Sequence, residues 1–303
     1  MSGKMRFEGI FAPLVVPLTE GGAIDQTALR RLVDWLIDRG VHGLFANGST
    51  GEFVRFGGEE RRRIVHIVCD QAAGRVPVIA GASEANVGEI VSAAADYAAM
   101  GACAVALTPP YYYRVGQETI RAYFEEIARR VAIDVVLYNI PAFASSMEAD
   151  TVVALARQPR IVAIKDSSGD LPLLMEMIAR IRPSRADFRF LCGSDATLAP
   201  ALLMGADGGV NSTANVAPEL LRRLYDAARG DDVAEARRQQ AMLRHLLALL
   251  SSLEFPENFR AGAEARGLSV GAGRQPLSSA QQAQRGELVA AVRALLPQLG
   301  IVQ

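Results

Sequence analysis

The sequence predicts an α/β protein built as a (β/α)8 TIM barrel with a C-terminal helical extension. The first observation is that short apolar segments alternate eight times with helical segments, up to about residue 230. Such alternation is typical of parallel strands joined by right-handed helical crossovers. The second observation is that only helical patterns follow residue 230. We therefore expect a barrel over residues 1–230 and a helical region over residues 231–303, which caps the barrel or forms an oligomer interface.

An open, doubly wound sheet is the alternative arrangement for alternating strands and helices. That fold normally carries a glycine-rich phosphate-binding sequence directly after its first strand. The corresponding segment here, APLVVPL at residues 12–18, contains no glycine. A closed barrel is therefore favoured.

The predicted strands share a short run of Val, Ile, Leu, Ala and Phe that ends in small or polar residues. Continuous apolar runs of this length are typical of strands buried on both faces. In chain order, the predicted strands cover residues 10–16, 43–46, 76–83, 102–110, 135–141, 161–168, 188–195 and 207–213.

The predicted helices share apolar residues at helical spacing and polar residues between them. The first one begins after Asp25, a residue suited to an N-cap, and ends before Gly40. The helices of the barrel are expected at residues 26–39, 59–73, 87–100, 117–131, 149–157, 171–181, 198–204 and 218–229. Three further helices are expected at 231–252, 257–266 and 278–297.

The composition is that of an ordinary globular protein, with 50% hydrophobic and 21% charged residues and a net charge of −1. Without a basic surplus, nucleic acid is not an expected partner. No apolar run approaches the roughly 20 residues of a membrane span, and the N-terminal sequence lacks a signal-peptide pattern. Cys69, Cys103 and Cys192 form no CxxC motif, which is typical of a cytosolic protein. We expect a cytoplasmic location and no membrane partner.

One lysine, Lys165, falls among the predicted strand ends. Enzymes with this fold place their active sites at the C-terminal ends of the strands. A lysine buried there without a partner would have a lowered pKa, because burial penalises the cation. The neutral amine could then attack a carbonyl carbon. The alternative is a lysine that simply points to solvent.

Hydroxyl-bearing residues occupy other strand ends. Ser49 and Thr50 lie in the glycine-containing turn GSTGE, where hydroxyls and backbone amides can hold a carboxylate. Tyr138 ends an apolar strand, and a buried tyrosine hydroxyl needs a partner. An ordinary glycine turn and a core tyrosine are the alternatives. Together with Lys165, these residues suggest imine chemistry on a 2-oxo acid.

No metal site is predicted, because no strand end carries a cluster of histidines or carboxylates. His42 precedes a predicted strand, and His66 and His245 lie in predicted helices. We expect all three histidines to be structural.

Six motifs give the chain a resemblance to a known family. They are GSTGE (48–52), TPPYYYR (108–114), YNIP (138–141), IVAIKDSSG (161–169), CGSD (192–195) and GADGGVNSTANVAP (205–218). In this order and spacing, the chain resembles the pyruvate-dependent class I aldolases, which include dihydrodipicolinate synthase and N-acetylneuraminate lyase. The resemblance covers almost the whole chain. It implies the barrel fold, no cofactor, and a homotetramer built from tight dimers.

The resemblance also implies residue roles. Lys165 would form the Schiff base with pyruvate or another 2-oxo acid, and Tyr138 would shuttle the proton. Ser49 and Thr50 would grip the carboxylate, and Thr50 would also join the proton relay. Tyr112 would reach across a dimer interface into the neighbour's relay. Further residues are expected to line the substrate pocket, namely Ser167, Gly193, Asp195, Val210 through its carbonyl, and Ser212.

Two positions depart from the named members of the family. The synthases carry an arginine for the aspartate semialdehyde carboxylate where this chain has Phe143, and the sialic acid lyases carry a glutamate where it has Ala196. We therefore expect an aldolase or lyase acting on a 2-keto-3-deoxy sugar acid, with pyruvate and an aldehyde as its partners. The alternatives are dihydrodipicolinate synthase activity and a non-catalytic relative that binds 2-oxo acids.

Overall fold

The computed structural model describes residues 7–301. Eight parallel strands form a closed barrel in chain order, and β8 pairs with β1, as the sequence predicts. The strands are β1 (Gly9–Pro13), β2 (Gly43–Ala46), β3 (Val78–Gly81), β4 (Ala104–Leu107), β5 (Asp134–Asn139), β6 (Ile161–Asp166), β7 (Arg189–Cys192) and β8 (Gly208–Val210).

A helix follows each strand and packs outside the barrel. These helices are α1 (Gln26–Asp38), α2 (Gly58–Ala72), α3 (Val87–Ala99), α4 (Gln117–Arg130), α5 (Ala149–Leu155), α6 (Leu171–Ile181), α7 (Leu198–Leu203) and α8 (Pro218–Arg229). The Asp25 side chain caps α1 by accepting from the backbone N–H of Ala28 at 2.9 Å. Most of the predicted helix boundaries lie within one or two residues of these.

The first strand is shorter than predicted, because it ends at Pro13 rather than at residue 16. The N–H of Val15 donates to the side-chain oxygen of Asn215 at 3.1 Å, and the carbonyl of Val16 accepts from Arg260 at 2.8 Å. Leu14 still donates to the carbonyl of Phe45 on β2 at 3.1 Å, but Val15 and Val16 are apolar and buried and bond outside the sheet. Apolarity alone does not distinguish such a segment from a strand.

The barrel interior is a core separate from the layer between strands and helices. Its members come from the inward-facing positions of the strands, including Phe11, Phe45, Val136, Tyr138 and Ala163. Side chains alternate faces along a strand, so Lys165 shares the inward face of Ala163, two residues earlier. Tyr138 and Lys165 are register partners on β5 and β6. The fold thus places these two side chains next to each other at the C-terminal end of the barrel.

Three helices follow the barrel, α9 (Val233–Leu250), α10 (Glu257–Ala265) and α11 (Ser279–Leu295). Arg260 of α10 is fully buried and donates to the carbonyls of Val16 and Val270 at 2.8 and 2.5 Å. Arg266 pairs with Glu219 of α8 at 2.7 Å. The helical region is therefore joined to the catalytic end of the barrel by buried polar contacts. No helix within residues 7–301 combines the length and apolarity needed to cross a bilayer.

Candidate active site

Lys165 lies at the C-terminal end of β6 and is only 5% exposed. Its Nζ lies 3.9 Å from the centre of the Tyr138 ring and 4.9 Å from that of Phe45. It forms no ion pair within residues 7–301, and the only other lysine of the sequence is Lys4. The amine therefore faces two aromatic rings rather than a carboxylate.

The Tyr138 hydroxyl meets Ser49, whose Oγ lies 3.3 Å away. Thr50 does not take this place, because its Oγ1 is hydrogen-bonded to Ser212 Oγ at 2.7 Å. Ser49 is therefore the hydroxyl in direct contact with Tyr138, and the role of Thr50 in the proton relay stays a prediction. Consecutive residues of a turn point in different directions, so the motif GSTGE alone could not decide between them.

The turn that carries these hydroxyls has an unusual backbone. Asn47 and Glu52, on either side of it, have φ angles of 54° and 56°, a region that residues other than glycine rarely adopt. The Asn47 amide donates to the carbonyl of Arg61 at 3.0 Å. Glu52 pairs with Arg55 at 2.5 Å and with the buried Arg260 at 3.3 Å. These side-chain contacts hold the turn in its strained conformation.

Gly193 follows β7 and approaches the lysine closely. A Cβ built on Gly193 would overlap the Ser167 side chain and lie 3.1 Å from Lys165 Cε. Ser167 is fixed in turn by its N–H, which donates to the carbonyl of Asn139 at 2.8 Å. Ser167 and Gly193 thus lie beside the lysine, and their place in the lining of the substrate pocket stays a prediction.

Asp195 is half-buried and hydrogen-bonded to the hydroxyl of Thr213. Burial raises the pKa of Asp195 to about 6, and the Thr213 hydrogen bond and the charge of Lys165 oppose this rise. Thr213 donates to one of its carboxylate oxygens, and the expected place of Asp195 in the lining of the substrate pocket stays a prediction. Val210 ends β8 inside the barrel core, and the structure brings its side chain into the same core as Tyr138.

Asn139 and Asp166 point away from the barrel interior and connect the ends of β5 and β6. The Asn139 amide donates to Asp166 at 2.7 Å and accepts from the N–H of Met147 at 3.0 Å. Ser168 donates to the second carboxylate oxygen of Asp166 at 2.7 Å. Burial raises the pKa of Asp166. This pair fixes the strand ends that carry Tyr138 and Lys165.

The three consecutive tyrosines have different environments. Tyr111 is half-buried and packs edge-to-face on Phe53, with the ring centres 6.2 Å apart. Tyr112 and Tyr113 are 82% and 75% exposed and contact each other. Within a single chain, Tyr112 therefore does not meet the Tyr138 hydroxyl, and its expected role requires a second copy.

A cavity of about 490 Å³ opens outside Ser49, and we call it the acceptor pocket. It is lined by side chains from four distant segments and is mostly apolar. The lining residues are Ser49, Glu52, Phe53, Val54, Arg55, Thr108, Tyr111, Ile140, Ala142, Phe143, Ala144, Phe255 and Pro256. Phe143 and Phe255 stack with their ring centres 5.9 Å apart.

The histidines and cysteines, all within residues 7–301, do not line the acceptor pocket. His42 accepts a hydrogen bond from the N–H of Ile10 at 3.0 Å, and burial lowers its pKa, whereas His66 and His245 are exposed on α2 and α9. The three cysteines are unpaired, and burial raises the pKa of Cys69 to about 11. Within residues 7–301, no group of three or more His, Cys, Asp or Glu residues is arranged to hold a metal ion.

Sequence reasoning missed Phe255 as a lining residue of the acceptor pocket and Arg260 as the buried partner of Glu52. Phe255 and Arg260 lie in the helical region, far along the chain from every predicted strand end. The near absence of lysine from a chain rich in arginine was an available signal for Lys165. No comparable signal identifies Phe255, because its position depends on how α9 and α10 pack on the barrel.

An amine at the end of an inner barrel strand, beside a phenol and several hydroxyls, defines an enzyme of the aldolase class. The family model described as "Dihydrodipicolinate synthetase family" matches residues 6–295. The chain belongs to this family of pyruvate-dependent aldolases and is a lyase.

Three known proteins illustrate the similarity. The 4-hydroxy-tetrahydrodipicolinate synthase of Rhodospirillum centenum is 35% identical over 297 residues, which cover 98% of this chain and 99% of the relative. YagE, a prophage protein of the dihydrodipicolinic acid synthase family from E. coli K12, was solved in complex with pyruvate. Its structure is 31% identical, with a TM-score of 0.89 and coverage of 98% and 99% of the two chains. The chloride-inhibited dihydrodipicolinate synthase of Acinetobacter baumannii, also complexed with pyruvate, is 28% identical, with a TM-score of 0.88 and coverage of 97% and 99%.

Proposed function

We propose that this protein joins pyruvate to an aldehyde, or cleaves the corresponding product, through an imine between pyruvate and Lys165. The observation that carries the proposal is the position of Lys165 opposite Tyr138, whose hydroxyl contacts Ser49 at 3.3 Å. The pyruvate complexes of YagE and of the Acinetobacter baumannii enzyme support pyruvate as the first substrate.

The proposed chemistry begins when Lys165 Nζ attacks C2 of pyruvate and water leaves. The imine withdraws electrons from C3, so a C3 proton can depart or a C3–C4 bond can break to give an enamine. Tyr138 exchanges the proton with the reacting oxygen, and Ser49 orients the phenol. The imine itself is the electron sink, so the proposal invokes no cofactor and no metal.

We further propose that Thr50 and Ser212 hold the pyruvate carboxylate. Their hydroxyls are 2.7 Å apart. Ser167 and Gly193 shape the space beside the imine. Val210 and Asp195, expected from the family resemblance to line the pocket, border it from β8 and from the loop after β7.

The second substrate, the aldehyde, is assigned from the named relatives and from the residue at position 143. The name of the Rhodospirillum centenum relative supports aspartate semialdehyde, the acceptor of dihydrodipicolinate synthase, better than it supports a 2-keto-3-deoxy sugar acid. At position 143, however, this chain offers a phenyl ring where the synthases carry the arginine for that carboxylate. An arginine from another loop could bind that carboxylate instead, and Arg114 is the candidate. It is exposed and donates to the carbonyl of Ala144 at 3.2 Å.

A non-catalytic binding relative is disfavoured by the same geometry. Binding of a 2-oxo acid would not by itself require a buried amine facing a tyrosine that is paired to a second hydroxyl. The arrangement of Lys165, Tyr138 and Ser49 supports proton transfer at the bound substrate.

The proposed assembly is a homotetramer of tight dimers, in which Tyr112 completes the partner's relay. Its support is the 82% exposure of a large aromatic side chain directly after the pocket residue Tyr111. Sedimentation should show a dimer or tetramer, and Tyr112→Phe should lower kcat more than it raises the KM for pyruvate. A fully active monomer would remove this role.

The test of the proposed function is condensation of pyruvate with aspartate semialdehyde and with glyceraldehyde, followed as kcat/KM. Either activity should require Lys165 and disappear in Lys165→Arg. A tenfold or greater preference for aspartate semialdehyde would assign the protein to the synthase branch, and the reverse preference to the sugar-acid branch. Activity that survives in Lys165→Arg would contradict the proposal.

A further inference from the structure

We infer that the acceptor pocket takes an aldehyde with an aromatic or similarly bulky apolar group. The inference rests on the proposed function, because the pocket begins at Ser49, the residue that contacts the Tyr138 hydroxyl. A substrate held by its 2-oxo acid end at Lys165 would extend its C4 substituent into this cavity.

Two aromatic pairs line the acceptor pocket. Phe53 and Tyr111 form an edge-to-face pair, and Phe143 and Phe255 form a stacked pair with an interplanar angle of 29°. These four rings come from four different segments of the chain, so their meeting is a property of the fold. Convergent aromatic walls around one cavity are typical of sites for apolar ligands.

Two of these rings are exposed to an extent unusual for phenylalanine. Phe143 is 53% exposed and Phe255 is 40% exposed. A contiguous exposed apolar surface of this kind commonly marks a binding site. An aromatic group bound against these two rings would remove part of their surface from water.

The charges in the pocket are already paired. Arg55 is the only cation that lines it within residues 7–301, and its Nη1 lies 2.5 Å from Glu52. Glu52 is also held by Arg260 at 3.3 Å. A second carboxylate on the substrate would have to compete for Arg55 with a buried glutamate, which disfavours an anionic acceptor.

The polar groups of the pocket are too few for a polyhydroxylated chain. Besides the paired charges, the lining side chains offer the hydroxyls of Ser49, Thr108 and Tyr111. Ser49 is already hydrogen-bonded to Tyr138, and Thr108 Oγ1 is buried and not open to the cavity. Few hydroxyls in an aromatic cavity match a large apolar group better than a polyhydroxylated chain.

The reaction we assign is the cleavage of 4-hydroxy-2-oxo-4-phenylbutanoate to benzaldehyde and pyruvate. After the imine forms at C2, the C4 hydroxyl proton passes to Tyr138 as the C3–C4 bond breaks. The bonding electrons move into the imine and give an enamine and benzaldehyde. The enamine takes a proton at C3, and water then releases pyruvate and free Lys165.

The test compares kcat/KM for this aryl substrate with that for 2-keto-3-deoxygluconate and with that for condensation of aspartate semialdehyde with pyruvate. We expect the aryl substrate to be preferred by tenfold or more. Phe143→Arg should lower the aryl value by at least tenfold and raise the value for aspartate semialdehyde. Met175→Arg, at an exposed apolar position on α6, is the matched control and should leave all three values unchanged.

Failure of this inference is distinguishable from failure of the proposed function by trapping pyruvate on Lys165 with borohydride. If the imine is trapped but the aryl substrate is not preferred, the inference is wrong and the proposed function stands. If no imine is trapped, both are wrong. If Phe143→Arg dissociates an oligomer without changing substrate preference, a second copy of the chain covers the rings and the inference is overturned.

Discussion

The two halves of the active site are built on different principles. Around Lys165, side chains from strand ends are mostly buried and bonded to one another, as in the Thr50–Ser212 and Asn139–Asp166 pairs. In the acceptor pocket, a loop and the helical region contribute the exposed rings of Phe143 and Phe255.

This difference shows which part of the site the barrel holds rigidly and which part can vary between proteins of this fold. Strand ends of a closed barrel hold their side chains in register, which suits a proton relay that tolerates little displacement. Loop residues such as Phe143 can change without disturbing that register. The side chains around Lys165 therefore determine the type of reaction, and the acceptor pocket selects the aldehyde.

The largest effect is expected from Gly193→Ala, which tests how tightly the groups around Lys165 are packed. Because the added methyl group would overlap Ser167 and approach Lys165 Cε, we expect imine formation to slow by about 100-fold or more. Gly286→Ala, on α11 where nothing lies within 4 Å of the added atom, is the matched control. It should keep full activity and a similar or higher stability. A fully active Gly193→Ala would show that Ser167 and Lys165 are less tightly packed against position 193 than described.

The second prediction distinguishes the roles of the hydroxyl groups of Ser49 and Thr50. Ser49→Ala should lower kcat by roughly 10–100-fold, because the Tyr138 phenol loses the group that orients it. Thr50→Val should mainly raise the KM for pyruvate, by roughly tenfold, because a hydrogen bond to the carboxylate is lost. The measurement is the kcat and the KM for pyruvate of both variants. The opposite pattern would place Thr50 in the proton relay and Ser49 at the carboxylate.

The smallest effect concerns stability and pH at Asp195. Its folded-state pKa of about 6 lies above the ordinary value of 3.8, so the folded protein binds the proton more tightly than the unfolded chain. The associated stability is present below pH 4 and is lost as the pH rises through about 6. Asp195→Asn keeps the acceptor for Thr213 and removes the titration.

The measurement is urea unfolding of both proteins at pH 4 and pH 7. Relative to Asp195→Asn, the wild-type free energy of unfolding should fall by roughly 1–2 kcal/mol over this range. Asp166 and Asp207, whose pKa values are also raised by burial, titrate in both proteins and cancel. A constant or rising difference would show that Asp195 is not desolvated.

The sequence predicted the barrel because its alternating pattern recurs eight times, and it predicted Lys165 because strand ends are recognisable. It could not predict which of two adjacent hydroxyls faces Tyr138, since that depends on the strained turn between Asn47 and Glu52. Nor could it place Phe255, which reaches the pocket only through tertiary packing. The three short 3₁₀ helices after β2, β7 and β8, which carry Phe53, Asp195 and Ser212, were likewise not predicted.

The most direct test of the central claim is to trap the imine and map it. The sequence holds only two lysines, Lys4 and Lys165, so the site of modification can be read without ambiguity. Incubation with pyruvate and borohydride should add one reduced pyruvate to the peptide that contains Lys165, in the wild type and in Phe143→Arg alike. Absence of that mass, or its appearance on Lys4 alone, would contradict the account.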